Sequence, residues 1–300
     1  MIESDERQMT ATVISHFGNE ILINNQQNQR IRAKVKQSLP ALVCGDKIVW
    51  YKNELNEAIA IELLPRHGLL TRSTQHAAEK LIAANVDIAF IVMSHKPAFK
   101  TGLLDRYLAA CELADIQISI IFNKTDSLSS EKLEEFRFIL EPYQDIGYPV
   151  HYISTKDMSG IESFKQTVRN KTGVLVGQSG VGKSSILRAL FPAANPKIGD
   201  VSKKTNKGKH TTTYSKLYTL DESSFLIDSP GIREFGLNID DPYSLAQGFR
   251  EFLPYLGQCQ FRDCKHTTEP KCAIVQAVKA DKITQQRWDN YKAILATLLE

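Results

Sequence analysis

The sequence predicts a multidomain α/β protein with an N-terminal β-barrel, a central parallel α/β sheet around a phosphate-binding loop, and a mostly helical C-terminal region that holds a metal. Three observations predict it. Short strands broken by turns fill the first part of the chain. From about residue 80, apolar strands alternate with amphipathic helices, the pattern of a parallel sheet covered on both faces. Near the C-terminus, three of the five cysteines fall in one short segment with a histidine among them. The domain bounds on this reading are 1–70, 71–238 and 239–300, and 300 residues is long enough for two or three domains.

Composition narrows the class only a little. Hydrophobic residues make up 42% and charged residues 24%, which excludes disordered and fibrous chains. A net charge of +3 is too mild to demand a polyanionic partner, so the placement of basic residues has to decide that point. Met1-Ile2-Glu3-Ser4-Asp5-Glu6 lacks the basic-then-apolar layout of a signal peptide, and no apolar run reaches membrane-spanning length. A cytoplasmic protein with no membrane partner is expected.

In the N-terminal region, residues 10–14, 20–23, 30–35 and 47–51 read as strands, separated by turns at Phe17-Gly18-Asn19, Asn24-Asn25 and Gly45-Asp46. About five short strands in this length fit a small barrel. Residues 30–36 alternate strictly, with Arg30, Arg32, Lys34 and Lys36 on one face and Ile31, Ala33 and Val35 on the other. Two readings stand. The basic residues either belong to a solvated strand whose lysines blunt a sheet edge or form an RNA-binding track on an OB-like barrel, where phosphates meet the basic face.

In the central region, strands are expected at 86–93, 116–122, 150–153 and 173–176, with helices at 103–113, 130–140, about 160–169 and 184–190. Residues 213–220 and 224–227 read as a hairpin. The strand at 173–176 runs into Gly177-Gln178-Ser179-Gly180-Val181-Gly182-Lys183-Ser184, and strand, glycine-rich loop, helix is the context a phosphate loop requires. Its glycines allow backbone N–H groups to turn inward around an anion. Lys183 would reach the β- and γ-phosphates, Ser184 would offer its hydroxyl to Mg²⁺, and Ser185 completes the phosphate-binding set.

Asn123-Lys124-Thr125-Asp126 closes an earlier strand. A carboxylate at Asp126 can accept both the ring N–H and the exocyclic amino hydrogen of guanine, a donor pair that adenine lacks, and a polar site of this kind rejects the wrong base strongly. Asn123 fits guanine N7 and O6 or the neighbouring loop, and the Lys124 stem can lie across the base. Ser154-Thr155-Lys156, after the next strand, would offer a backbone N–H to guanine O6. Asp228-Ser229-Pro230-Gly231 follows an apolar strand, as expected for an Asp that holds Mg²⁺ through water and a Gly whose N–H touches the γ-phosphate. The stretch 203–213, rich in Lys, Gly and Thr, reads as a mobile loop, in which Thr212 is the candidate to complete the Mg²⁺ shell. The base-reading motif precedes the phosphate loop, so the nucleotide domain reads as circularly permuted.

Cys259, Cys264, His266 and Cys272 form Cys-x4-Cys-x-His-x5-Cys, a Cys₃His set suited to one tetrahedral, structural Zn²⁺ per chain. In a reducing compartment such a cluster points to metal rather than disulfides. Cys44 and Cys111 lie in apolar settings and read as core.

With these motifs in this order, the chain resembles the circularly permuted GTPases that mature the small ribosomal subunit, the RsgA/YjeQ group. The likeness rests on the motif order, on Gly208-Lys209-His210-Thr211-Thr212-Thr213, on Asp228-Ser229-Pro230-Gly231-Ile232-Arg233-Glu234-Phe235 and on the Cys/His spacing. It implies an OB-fold, a permuted GTPase domain and a zinc-binding domain. It also implies a monomer that works beside other subunit assembly factors, binds the small (30S) subunit and its 16S rRNA, and hydrolyses GTP faster when bound there.

The water-orienting Gln of Ras-type enzymes would follow Gly231, where this chain has Ile232, which has no side-chain hydrogen bond to offer. His210 resembles the histidine proposed as catalytic in that family, and an imidazole near neutral pH can orient or deprotonate water. A contact with rRNA is its other reading. The alternative to a working GTPase is a GTP-gated rRNA-binding module with negligible hydrolysis. An ATP-using enzyme is disfavoured by Asp126.

Overall fold

The computed structural model describes residues 8–74, 77–191, 216–228, 239 and 241–299. Strands β1 (Met9–Phe17), β2 (Glu20–Asn25), β3 (Arg30–Val35), β4 (Lys47–Lys52) and β5 (Ala58–Leu63) close into a barrel in the order β1-β2-β3-β5-β4. Period-two alternation fills it, with Val13, Ile21, Ile23, Ala33, Ile48, Trp50 and Ala60 packed inside. Arg30, Arg32 and Lys34 face outward from β3, and Lys36 beyond it is also exposed. β3 pairs with β2 on one side and β5 on the other. The edge-blunting reading of the basic strand therefore fails, because a closed barrel has no edge there to blunt.

A hairpin of β6 (Leu70–Thr74) and β7 (Ala77–Ala83) follows. Nothing in the sequence pattern announces it: residues 77–83 are rich in helix formers and lack alternation, so pairing overrides propensity.

The central domain contains β8 (Ile88–Ser94), α1 (Thr101–Leu113), β9 (Gln117–Asn123), α2 (Ser130–Asp145), β10 (Val150–Ile153), α3 (Ile161–Val168), β11 (Thr172–Val176), α4 (Lys183–Leu190), β12 (Lys216–Thr219) and β13 (Phe225–Asp228). Its six strands lie in the order β10-β9-β8-β11-β13-β12, all parallel except for the antiparallel β12–β13 hairpin at one edge. β8 is buried along its whole length. Ala89, Ile91 and Met93 pack against Leu104 and Leu108 of α1, while Ile88, Phe90 and Val92 pack against Phe164 of α3 and Ile186 of α4. This alternation is what a strand covered on both faces requires.

The C-terminal region has 3-10 turns at Leu245–Gly248 and Arg250–Tyr255, then α5 (Ala273–Lys279) and α6 (Gln285–Leu299). It is fastened to α1. Gly248 packs so closely that a Cβ there would come 2.9 Å from Ala109 backbone atoms. Arg250 pairs with Glu112 at 2.6 Å. Arg287, 2% exposed, donates to Asp105 Oδ1 of α1 at 2.6 Å and grips Glu251 through two bonds of 2.6 and 3.0 Å. Asp105 also accepts from Tyr143 and Asn290, so every guanidinium nitrogen and carboxylate oxygen of the cluster has a hydrogen-bond partner. The barrel has its own anchor. Asp46, wholly buried, takes two bonds from Arg66, and the Asn85 amide donates to Gly45 O across the junction at 2.9 Å.

Replacing Arg287 with Ala leaves Asp105 and Glu251 buried without their cation. Urea unfolding should show a loss of about 3–5 kcal/mol.

Candidate nucleotide site and metal centre

Parallel pairing brings five strand ends to one edge of the sheet, where open α/β sheets hold their ligands. In register, Ser94 at the end of β8 lies beside Asn123 at the end of β9, and Ile153 of β10 lies beside Asn123 on the other side. On its opposite flank β8 pairs with β11, Ile91 beside Val176, so the phosphate loop leaves the sheet two strands from Asn123.

The loop's glycines are conformationally required. Gly177, Gly180 and Gly182 have φ of 143°, 87° and 106°. A Cβ at Gly177 would strike Val92 O, and one at Gly182 would strike the Asn123 amide. The loop runs through Gln178, Ser179 and Val181 into α4, with Gly182 as its N-cap. α4 begins at Lys183, one residue earlier than the sequence pattern suggests. Lys183 Nζ is held in the loop by Gly177 O at 2.5 Å and Gln178 O at 2.7 Å. Ser184 is exposed and Ser185 partly so in the first turn.

The base-reading loop is stapled to the phosphate loop across the permutation. Asn123 Nδ2 donates to Val181 O at 2.9 Å, and Lys124 Nζ donates to Gly180 O at 2.5 Å and to Lys96 O at 2.7 Å. The neighbouring loop is thus one partner of Asn123. Thr125 and Asp126 form a 3-10 turn, Thr125–Ser127. Asp126 Oδ1 accepts from Ser154 Oγ at 2.8 Å, and Lys156 Nζ lies 3.9 Å from Oδ2. Ser154 is fully buried, and its Oγ also accepts the Lys156 N–H at 3.1 Å. Thr155 N–H finds no acceptor among the described residues. Asp228 ends β13, opposite Lys216 in the hairpin and one strand from the phosphate loop. His210, Thr212, Gly231 and Ile232 lie outside the described residues.

Sequence reasoning missed two contributors, His95 and Lys96. Both follow the end of β8, and that position was the available signal: in a parallel sheet, chemistry gathers where strands end.

The predicted metal ligands come together at the other end of the chain. The four donor atoms of Cys259, Cys264, His266 and Cys272 lie within 4.8 Å of one another. Cys259 Sγ and Cys272 Sγ are 3.8 Å apart, and they lie 3.4 and 3.5 Å from His266 Nδ1. Tetrahedral zinc bond lengths give S–S and S–N edges of about 3.8 and 3.5 Å, so these residues fit the ion. Burial holds the His266 imidazole below its usual pKa, in the neutral form that ligates. Two carbonyls of the loop are tied to α6, His266 O by Trp288 Nε1 at 2.8 Å and Lys265 O by the Tyr291 hydroxyl at 2.9 Å. Glu269 binds the loop from within, accepting the N–H groups of Lys265, Thr267 and Thr268 at 2.9, 2.8 and 3.1 Å. Burial pushes its carboxyl up, but those N–H bonds outweigh it and bring the pKa down to about 2.

The sequence model of the RsgA GTPase family matches residues 63–238, more than half of the chain. The chain belongs to the RsgA GTPase family. It is 42% identical over 299 residues to a small ribosomal subunit biogenesis GTPase RsgA of Shewanella oneidensis, covering 98% of this chain and 84% of the relative. Among solved structures it resembles YjeQ from Thermotoga maritima, with a TM-score of 0.79 at 29% identity over 97% of this chain and 99% of that one. It also resembles YloQ, described as a circularly permuted GTPase, with a TM-score of 0.77 at 26% identity over 100% and 98% of the two chains. As an RsgA GTPase the protein hydrolyses GTP. Its motif order is that of the permuted fold, and its barrel, central sheet and Cys₃His region are the three parts expected of this family.

Two measurements check the metal centre. Purified protein should carry about one tightly held metal ion per chain, and exchanging Cys264 for Ser should release it. Glu269→Gln should destabilise the loop by about 1–2 kcal/mol at neutral pH. Because the folded carboxyl titrates below its ordinary 4.5, this contribution is present above that pH and fades as the pH falls toward 2. The difference between wild type and variant in acid unfolding should shrink accordingly.

Proposed function

We propose that the protein is an assembly GTPase of the small ribosomal subunit. It binds the subunit and its 16S rRNA late in maturation and hydrolyses GTP to GDP and phosphate faster when bound. Its nucleotide state governs its release. The observation that carries this reading is the stapling of Asn123 and Lys124 to the carbonyls of the phosphate loop, which unites both halves of a guanine-nucleotide site at one edge of the sheet. Relatives named for small ribosomal subunit biogenesis support the partner.

In this site the loop of residues 177–184 cradles the phosphates with its N–H groups, and the flexible Lys183 stem swings its ammonium to the β- and γ-oxygens. Asp126, held by Ser154, accepts the two guanine N–H groups, while Thr155 N–H serves O6. Ser184, Thr212 and Asp228 are the residues that would hold Mg²⁺, which supplies charge neutralisation at the phosphates. Gly231 N–H touches the γ-phosphate, and His210 orients the attacking water in place of the missing Gln. Zinc is the ion of the Cys₃His cluster, where four protein ligands make it structural.

RNA meets the outer face of β3. Arg32 and Lys34 already neighbour Glu20 and Glu57 at 3.7 and 2.6 Å, but exposed pairs of this kind exchange readily for phosphate. Arg30 lies near Lys216, where burial first and then Arg30 hold the Lys216 ammonium below its usual pKa, while the facing Asp228 pulls it the other way. The working units are 1–70, 71–238 and 239–300, acting as a monomer in the cytoplasm alongside other assembly factors. Among the described residues, no helix is long and apolar enough to cross a membrane.

GTP turnover measured with and without purified small subunits tests the proposal. Turnover of about 10⁻⁴ to 10⁻² per second is expected for the free protein, with marked acceleration by the subunit. An equal rate in both conditions would leave only a GTP-gated RNA binder, the reading that Ile232 favours. A His210→Ala chain should lose the acceleration, and retention of full stimulated turnover would remove His210 from catalysis.

A further inference from the structure

The segment after β8 braces the base-reading loop at two points. Lys96 O accepts Lys124 Nζ, and His95 Nε2 lies 3.3 Å from Ser127 Oγ. Ser127 Oγ donates to Lys124 O at 2.8 Å, and that bond settles the proton at His95. A hydroxyl has one hydrogen, and Ser127 directs it to Lys124 O, so toward His95 the hydroxyl can only accept. His95 therefore carries its hydrogen on Nε2 and leaves Nδ1 bare. That nitrogen is buried and has no hydrogen-bond partner among the described residues. Protonating it would set a cation beside Lys96 and Lys124 with no acceptor for the new N–H. In agreement, burial first and then those two lysines hold the imidazole below its ordinary pKa, and Asp126 offsets only part of this. His95 is thus a neutral donor at neutral pH.

What it braces is a strained point. Lys124 sits at φ 68°, a left-handed conformation that is unfavourable for a non-glycine residue, and the 3-10 turn carrying Asp126 starts from it. Its carbonyl is held by the Ser127 hydroxyl and, at 3.3 Å, by the Ser127 N–H.

We propose that His95 is a positioning residue for guanine selection, donating from Nε2–H to Ser127 Oγ and so fixing the turn that aims the Asp126 carboxylate at the base. The proposal rests on Asp126 being the guanine acceptor. Its chemistry predicts an effect confined to the base: loss of the brace lets the carboxylate wander from the ring N–H and exocyclic amine, while the Asn123 and Lys124 side chains, bonded to Val181 O and Gly180 O, keep the phosphate loop in place.

The test is equilibrium binding of GTP and inosine triphosphate, whose base keeps the ring N–H but lacks the exocyclic amine. Wild type, His95→Ala, His95→Gln and Ser127→Ala are compared, with folding checked by circular dichroism. His95→Ala and Ser127→Ala should each weaken GTP roughly threefold to tenfold and weaken inosine triphosphate less, so that discrimination shrinks. His95→Gln, whose amide supplies a neutral donor at similar reach, should restore it. Unchanged discrimination in both the Ala variants, or equal weakening of both nucleotides, overturns the role of His95. A wild-type chain with no preference for GTP would instead sink the assignment of Asp126, which separates the two failures.

Discussion

The parallel pairing of β8 with β9 on one side and β11 on the other is the constraint on which the site depends. β8 comes from the first part of the central domain, β9 delivers the base-reading motif, and β11 delivers the phosphate loop more than fifty residues later in the chain. Hydrogen-bonded register sets the ends of these strands level, and side chains then close the short gap between neighbours. Asn123 reaches Val181 O, and Lys124 reaches both Gly180 O and Lys96 O. Chain order is irrelevant to this geometry. A sheet assembled from strands in permuted order presents the same edge, because register and twist, rather than connectivity, decide which loops meet.

Permutation changes what is attached to that edge. The barrel precedes β8 in the chain and is tied to the segment that enters β8 by the Asn85–Gly45 bond and by the Ala84 N–H, which donates to Cys44 O. The C-terminal region is tied to α1 by a cluster in which one face of α6 grips the nucleotide domain through Arg287 and Asn290, while Trp288 and Tyr291 hold the metal loop. The cluster is charged and almost fully buried. Such clusters contribute little net stability compared with apolar packing, but they tolerate only one arrangement, because each misplaced partner leaves an uncompensated charge. α6 therefore specifies a single orientation between the metal centre and α1. The helix it grips begins a few residues after His95 and Lys96, so the brace on the base-reading loop and the anchor of the C-terminal region share one connection.

Local pattern made the architecture and the chemistry legible. Alternation marked Arg30, Arg32 and Lys34 as an outward face, apolar runs located β8, β9 and β11, and glycine spacing with Lys183 marked the phosphate loop. Cysteine spacing found all four members of the metal cluster. These features depend on residues near one another in the chain, where period and spacing translate directly into shape. Other features were invisible for a matching reason. The β6–β7 hairpin contradicts local propensity and exists through its pairing, and the closure of the barrel, which removes the edge beside β3, depends on β1 meeting β4. The partner of Asn123, the proton position on His95, the support of Asp126 by Ser154 and the burial of Arg287 between Asp105 and Glu251 all join residues that are distant in sequence or rest on such a contact. The sequence by itself determined which groups are this protein's candidates for holding phosphate, guanine and metal. Tertiary structure decided how each is held, because hydrogen-bond partners and buried charges are settled by packing between segments, and no periodicity along one segment encodes them.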